Sequence, residues 1–372
     1  MGFTFPVNSG ERMEAKPKVF GHLLKEVVKA DLCAGCAACV VSCDPGVLAF
    51  EAEPKIKGKC TSCGTCYSVC PQTPTTKDLL GELPEGIQTD PSTGSFLEAL
   101  SVRSLDEEVL KRCQDGGAVS SLLLSLLEEG YLDGALLMGV GEEPWRPRAM
   151  VARTREEVLS AAGTKYTRGP LFLPLREAVE KLSLQKVAVV GVPCQVRAVR
   201  KMQRGDLPYP KLGEKIKLVI GLFCMESFHH EKLRDFLKEK LGVSLEEVVK
   251  FDIKKGKFIC RLRDGQSKEI EVKALHDCVN PSCTLCTDFT SELADLSAGA
   301  VGSPLGRSTV LVRTARGREA LEILRRSGKA EIKPLAEFKP GLEGVKKVGS
   351  FKKTGAAKER EKRKEEGKPL PP

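Results

Sequence analysis

The sequence predicts an α/β (α+β) protein in which a small cysteine-rich module precedes a larger domain of alternating strands and helices. Three observations lead there. Eight of the 15 cysteines crowd into residues 33–70. From Phe96 onward, short apolar tracts that read as buried strands alternate with helical patterns. A chain of 372 residues, 41% of them hydrophobic, can fill the cores of two or three domains.

The cysteine-rich module spans residues 31–74, behind an N-terminal extension (1–30) that offers only a short amphipathic helix over Phe20–Val28. Cys33, Cys36, Cys39 and Cys43 have the spacing C-x2-C-x2-C-x3-C, and Cys60, Cys63, Cys66 and Cys70 repeat it, ending in Pro71. This is the bacterial ferredoxin run, in which three thiolates hold one [4Fe–4S] cluster and the fourth ligates the other. The expected sets are therefore Cys33, Cys36, Cys39 with Cys70, and Cys60, Cys63, Cys66 with Cys43. Two residues between thiolates let a loop wrap one face of a cubane. Small residues at Gly35, Ala37, Ala38 and Gly64 let backbone amides approach the sulfurs. Zinc needs four ligands per metal and rarely presents three evenly spaced cysteines. Disulfides are disfavoured because the N-terminus has no apolar signal-peptide core, which implies a reducing, cytoplasmic setting.

The formal net charge of +9 raises nucleic acid as a partner, but only 5% of residues are aromatic and no recognition motif is present. A basic surface facing an anionic cofactor or an acidic partner fits better. No apolar tract reaches the length of a membrane span, so the protein is expected to be cytoplasmic, at most peripheral on the inner face of the membrane through a partner.

Residues 75–95, rich in Pro, Gly and Thr, read as a linker. The second domain follows over 96–345. Asp115 is placed to N-cap an apolar helix, and Gly116 and Gly117 beside it suit either a phosphate or a plain cap. Gly130 closes that helix, and Gly134–Val140 reads as a strand. A capping box at Thr154 and Glu157 opens another helix. The loop GTKYTRGP then supplies Gly163, Thr164, Lys165, Tyr166 and Arg168, whose hydroxyls, cations and aromatic face suit a nucleotide or a solvated turn. Two apolar strands run into Cys194 and Cys224, at the carboxyl edge where open α/β sheets hold cofactors.

Val248–Lys273 reads as strands around an Asp264–Gly265 hairpin turn. Cys283 and Cys286 form C-x2-C, and with Cys194 and Cys224 they would make a third four-thiolate site. Cys278, Cys283 and Cys286 form a rival set with plant-type ferredoxin spacing. Gly302, Ser303, Pro304, Gly306, Ser308 and Thr309 make a second glycine-rich loop, followed by a strand over Val310–Thr314 and a helix over Ala315–Ser327 closed by Gly328. The tail, 346–372, is a charge run whose default is a solvated helix or a mobile end.

The motifs QDGG at Gln114, GTKYT at Gly163, VPCQ at Val192, CMESF at Cys224, KGKF at Lys255, CTLCTDFTSELADLSAGAVGSP at Cys283 and KPGL at Lys339 occur in this order. Together they resemble the coenzyme F420 hydrogenase/dehydrogenase beta-subunit family, from about Ser101 onward. The resemblance implies FAD, one [4Fe–4S] cluster on Cys194, Cys224, Cys283 and Cys286, and hydride exchange with the deazaflavin coenzyme F420. It favours that set over the Cys278 rival and leaves Cys113, Cys260 and Cys278 as ordinary thiols. The Gly116 turn, the Gly163–Arg168 loop and the Gly302–Thr309 loop are the implied FAD contacts, with Lys165 and Arg168 facing anionic cofactors. A plain beta subunit lacks the front ferredoxin module, so the chain is more similar to the ferredoxin-fused F420H2 dehydrogenase input subunits of archaea. The F420-dependent sulfite reductases share this architecture but need a sirohaem domain beyond the length seen here.

The implied function is oxidation of reduced coenzyme F420, with electrons passing through FAD and three clusters to a partner in a larger, membrane-associated redox complex. A soluble oxidoreductase that reduces ferredoxin is one alternative. An electron-relay beta subunit of a hydrogenase or heterodisulfide-reductase-type complex, with a dead flavin site, is another. No general base is expected, since hydride transfer needs none. The front module is expected to be separable from the flavin domain.

Overall fold

The structure is a computed structural model that describes residues 16–81, 83–204 and 211–372. The first half of the N-terminal extension therefore lies outside the described residues. In the front module, β1 (Leu48–Glu51) and β2 (Glu53–Ile56) form an antiparallel hairpin. A second hairpin joins β3 (Gln88–Asp90) and β4 (Gly94–Phe96). The main sheet starts with β5 (Glu98–Ser104), β6 (Gly134–Val140), β7 (Pro147–Ala152), β8 (Val187–Gly191) and β9 (Ile216–Leu222). A separate three-stranded antiparallel sheet of β10 (Val248–Lys254), β11 (Lys257–Leu262) and β12 (Ser267–Glu271) interrupts it. The main sheet resumes with β13 (Leu296–Gly299), β14 (Ser308–Val312) and β15 (Ala330–Pro334).

Eight strands run in the order β15-β5-β14-β13-β9-β8-β6-β7. The centre, β13-β9-β8-β6, is parallel, and the flanks are antiparallel. The sequence explains the centre. All five residues of β8, VAVVG, are buried, as expected of a parallel strand covered on both faces. Its side chains alternate between two cores. Ala188 and Val190 meet the layer built by the helices Ala118–Glu128 and Ala315–Ser327. Val187 and Val189 meet the layer of the Pro193–Arg204 helix and the cysteine module.

The two cysteine loops fold as one repeated unit. Gly35 (φ 66°) and Ala37 (φ 64°) match Ser62 (φ 58°) and Gly64 (φ 79°) at the same loop positions. Each loop then turns into one short helix, Ala38–Val41 or Thr65–Ser68. Ahead of them, Phe20–Leu23 is α-helical and Leu24–Val28 is a π turn, which together bury Phe20, Leu23, Val27 and Val28.

The module is not a separable appendage. Phe20, Leu32, Val41, Tyr67 and Val69 share a continuous core with Leu171, Phe172, Leu175 and Val199 of the larger domain. Polar contacts fasten the joint. Arg176 Nη2 donates to the carbonyls of Val41 (2.9 Å) and Cys43 (3.1 Å), and the Phe172 amide to that of Cys36 (3.2 Å). Lys201, 2% exposed, donates to the carbonyls of Cys70 (2.7 Å) and Thr73 (2.8 Å) and to Thr73 Oγ1 (2.7 Å). Removing residues up to Pro74 would uncover Leu171 and Phe172, so truncation is not a clean functional test. Lys201→Met is expected to lower stability by about 1–3 kcal/mol, read from urea unfolding, because buried carbonyls lose their donor.

Three further expectations are corrected or refined. The linker reading of 75–95 stops short of its end, because the β3–β4 hairpin fills it and the boundary at residue 96 cuts β4. Asp115 does not cap the next helix. Gly117 holds the N-cap position at φ 74°, with no side-chain cap, because the chain turns there through the left-handed region open to glycine. The charged tail takes the helical form, largely exposed but packed along one face. One helix, Gly341–Glu365, runs through the 345/346 boundary and packs by Val345, Gly349, Lys352 and Ala356. Gly349 makes this possible: a Cβ there would lie 2.2 Å from the Ser92 carbonyl oxygen.

Candidate redox site

All fifteen cysteines are free thiols. Among the described residues, no three His, Cys, Asp or Glu side chains converge tightly enough to grip a single metal ion. The front thiols instead line two wider spaces. Cys33, Cys36, Cys39 and Cys70 line one hollow together with Leu23, Val27 and Phe50. Cys43, Cys60, Cys63 and Cys66 line another together with Phe20, Val47 and Leu48. These are the crossed sets expected from the spacing: each loop lends its fourth cysteine to the other. Backbone amides already point at sulfur, from Gly35 to Cys33 Sγ at 3.4 Å and from Ser62 to Cys60 Sγ at 3.3 Å. The four-thiol cradles fit a cubane in donor chemistry.

Burial raises five of the front thiols, Cys33, Cys36, Cys39, Cys66 and Cys70. Cys70 and Cys66 are pushed to about 12 by desolvation, and Cys36 and Cys39 also rise. Only a group that stabilises thiolate, such as bound iron, would make such buried sulfurs anionic at neutral pH.

Cys194, Cys224 and the Cys283–Cys286 pair come together from three places. Cys194 opens the helix after β8, and Cys224 lies two residues beyond β9. Those strands are parallel neighbours, so both cysteines emerge at the same carboxyl edge. Cys283 sits on the short helix Pro281–Thr284, capped by the Asn280 side chain on Ser282 N, and Cys286 follows it. Desolvation pushes Cys194 well up, and neighbouring Cys283, Cys36, Cys224 and Cys286 push it further. Cys224 and Cys286 likewise feel Cys283. All four keep partly accessible surface although Cys194, Cys224 and Cys286 lie deep in the protein, as expected of side chains lining a hollow. Cys278 is elsewhere: it is buried in the core of the β10–β12 sheet, with its Sγ 3.5 Å from the Lys232 carbonyl oxygen. Cys260 shares that core, and Cys113 packs beside Val109 and Val102.

Sequence reasoning missed the cations around this third set. Lys352, from the C-terminal helix, donates to the carbonyls of Cys224 (2.7 Å) and Met225 (2.6 Å). Arg360 Nε donates to the Leu285 carbonyl at 2.8 Å. Arg197 lies within electrostatic reach of Cys286, and its buried Nε has no hydrogen-bond partner. Arg197 and Lys201 stand three and seven residues after Cys194 on one helix, a spacing that was legible. Lys352 was hidden inside a charge run.

The glycine loops meet beside this edge. Gly116 N donates to Ser308 Oγ (3.1 Å), and Thr164 N donates to Gln114 Oε1 (3.1 Å). The QDGG turn therefore touches both other loops. Ser303 Oγ and Thr309 Oγ1 are hydrogen-bonded at 2.8 Å, Arg307 N donates to the Pro304 carbonyl, and Gly302 (φ 105°) and Gly306 (φ 79°) bend the loop between them. Burial raises the Asp115 carboxyl, against the pull of Lys250 and Lys254. Tyr166 (φ 57°) stacks edge-on against Phe258 at 5.9 Å.

Two of the expected contacts face elsewhere. Lys165 Nζ turns inward to the carbonyls of Ala161 (2.5 Å), Ala162 (3.1 Å) and Gly163 (2.9 Å), closing the preceding helix, and burial lowers its pKa to about 8. Arg168 Nη1 donates to the Cys33 carbonyl at 3.0 Å, tying this loop to the front module. Gly116→Ala would put a Cβ 2.4 Å from both Ser308 N and Val102 O. Both are backbone atoms, so a loss of about 3 kcal/mol or more is expected, read as a fall in melting temperature.

A mixed α/β sheet that gathers thiol sets in sequence from its carboxyl edge outward defines an electron-transfer protein. The chain matches the family described as coenzyme F420 hydrogenase/dehydrogenase, beta subunit: the N-terminal part over residues 99–176 and the C-terminal part over 184–337. It is 41% identical over 275 residues to the coenzyme F420 hydrogenase subunit beta of Methanosarcina barkeri, covering 74% of this chain and 94% of that protein. It is 33% identical over 343 residues to a subunit of the F(420)H(2) dehydrogenase of Methanosarcina mazei, covering 87% of this chain and 90% of that protein. The coenzyme F420-dependent sulfite reductase of Methanocaldococcus jannaschii is 36% identical over 357 residues, 92% of this chain but 52% of that one. A chain of the F420-reducing [NiFe] hydrogenase complex of Methanosarcina barkeri superposes with a TM-score of 0.73 at 40% identity, covering 76% of this chain and 98% of its own. The chain belongs to the coenzyme F420 hydrogenase/dehydrogenase beta-subunit family.

Proposed function

We propose that this protein oxidises reduced coenzyme F420 and delivers the electrons singly, through three [4Fe–4S] clusters, to a protein partner in a larger redox complex. The observation that carries this reading is the continuity of the thiol sets. Cys194 of the third set lies within electrostatic reach of Cys36 in the first front set, and Cys39 and Cys70 of that set lie within reach of Cys66 in the second. Three cradles in such a row serve as a one-electron wire. FAD supplies the conversion of a two-electron hydride into single electrons, which a cubane cannot accept in pairs.

This chain's residues do the rest. The QDGG turn, the Gly163–Arg168 loop and the Gly302–Thr309 loop bind and orient the flavin phosphates and ring. Arg168 holds the flavin loop against the Cys33 loop, fixing the spacing between hydride acceptor and wire. The apolar walls of Leu23, Val27 and Phe50 keep water from the first front set.

Lys59, Thr61 and Ser62 are exposed around Cys60, which favours the second front set as the point where electrons leave. Among the described residues no helix is long and apolar enough to cross a membrane, so any membrane association comes through the partner. The similarity to the F(420)H(2) dehydrogenase subunit over 87% of this chain favours a dehydrogenase complex over the soluble alternative that reduces ferredoxin. Protein purified without oxygen should carry about twelve irons and one non-covalent FAD per chain. About eight irons would remove the third cluster, and zinc in place of iron would end the reading.

A further inference from the structure

Burying a cation without a carboxylate partner is costly, and a fold keeps one only where something offsets it. Two such cations flank the third thiol set. Lys352, 6% exposed, makes its hydrogen bonds only to the neutral carbonyls of Cys224 and Met225, and among the described residues no carboxylate forms an ion pair with it. Arg197 approaches from the helix that begins at Cys194, also without an ion pair among the described residues, and its buried Nε–H has no acceptor. Arg360 adds a third positive charge through its bond to the Leu285 carbonyl. Two carboxyls lie within electrostatic reach of Lys352: Asp288, close to Glu292 and Arg313, and Glu226. Neither forms an ion pair with Lys352 among the described residues. Lys352, Arg197 and Arg360 therefore stand around the four sulfurs of the third set.

We propose that Lys352 and Arg197 are positioning residues that set the reduction potential of the third cluster, and that the C-terminal helix serves as its electrostatic wall. This rests on reading Cys194, Cys224, Cys283 and Cys286 as cluster ligands. Four thiolates around a [4Fe–4S]2+ core carry a net charge of −2. Accepting one electron gives a [4Fe–4S]+ core and −3, with no bond broken and no proton moved. Fixed positive charges a short distance away stabilise −3 more than −2, and the low local dielectric enlarges the difference. The unpartnered Arg197 Nε–H supplies a donor that a cluster sulfur can accept. The result is a first carrier tuned upward, which draws electrons off the flavin side and discourages their return.

The helix is built to hold this charge in place. Gly349 lets it lie against Ser92, and Gly341 N donates to the Gly302 carbonyl at 3.0 Å. Lys353 pairs with Glu292 at 2.8 Å, and Arg363 donates to the Ala30 carbonyl at the root of the front module. Lys352 is thus anchored by its neighbours on both sides.

The test is a potentiometric titration of the intact protein, followed by electron paramagnetic resonance, for wild type, Lys352→Met, Arg197→Met and Lys352→Arg. The expected result is a lower midpoint potential for one cluster in each methionine variant. The two front clusters should stay where they were, and Lys352→Arg should restore the wild-type value. Unchanged midpoints in both methionine variants with full iron content would overturn the proposal. If Lys352→Met loses the third cluster, Arg197→Met and Lys352→Arg decide the matter by the same criterion. A wild-type protein that shows only two clusters would instead refute the underlying ligand assignment, and the tuning role would fall with it.

Discussion

The Cys283→Ala protein is expected to have its bound flavin bleached by reduced coenzyme F420 and yet to pass almost no electrons to an acceptor. Cys283 lies in the set that opens from the carboxyl edge of β8 and β9, and Cys194 of that set is the thiol in reach of the front module through Cys36. Whatever occupies this position gates everything downstream. Losing an outer-shell partner of a metal ligand typically costs about 10–100-fold in metal affinity or activity, and losing a ligand costs more, so acceptor reduction should fall by at least about 100-fold. Among the described residues Cys283 makes no hydrogen bond to the Gly116 turn, the Gly163–Arg168 loop or the Gly302–Thr309 loop, the proposed flavin contacts. Stopped-flow absorbance separates the two steps. A variant that reduces the acceptor at a normal rate would mean that electrons bypass the third set.

The crossed front ligation gives the second large effect. Cys70→Ala should lose the cluster of the Cys33 loop and keep that of the Cys60 loop, although Cys70 belongs to the latter in sequence. The structure places Cys70 in the same walled space as Cys33, Cys36 and Cys39. Iron should drop from about twelve to about eight per chain in the single variant. Adding Cys33→Ala should cost nothing further, because both residues serve one cluster. Adding Cys60→Ala should take the count to about four. The reverse pattern would show that each loop keeps its own four cysteines.

Much of this was legible in the sequence, and the physical reasons differ by element. Strand β6 and the helix Ala315–Ser327 were placed residue for residue, because apolar runs with glycine stops fix them locally. The crossed cysteine sets were legible because cluster chemistry dictates ligand spacing. The third set required the sheet: Cys194 and Cys224 emerge together only because β8 and β9 are parallel neighbours, and only the fold shows Cys278 buried in the core of the β10–β12 sheet.

The packed face of the C-terminal helix was missed because its charges outnumber its apolar residues, which is the usual mark of a solvated face. Its true contact is made by small and long residues together, Gly349 against Ser92 and Lys352 reaching inward. Lys165 was misassigned for a related reason. A cation in a glycine-rich loop suggests an anion, but here three nearby carbonyls at a helix end take all of its donors. The continuous core beneath the front module was invisible because its apolar residues are few and lie over a hundred positions from their partners.

The central claim is that a hydride from reduced coenzyme F420 becomes single electrons inside this one chain. The most direct measurement is anaerobic mixing of the purified, fully loaded protein with reduced coenzyme F420, following the deazaflavin absorbance and the cluster signals together. The account predicts that oxidised coenzyme appears in step with reduced clusters, two cluster electrons for each coenzyme molecule. Loaded protein that leaves the coenzyme reduced, or that oxidises it while every cluster stays oxidised, would contradict the account.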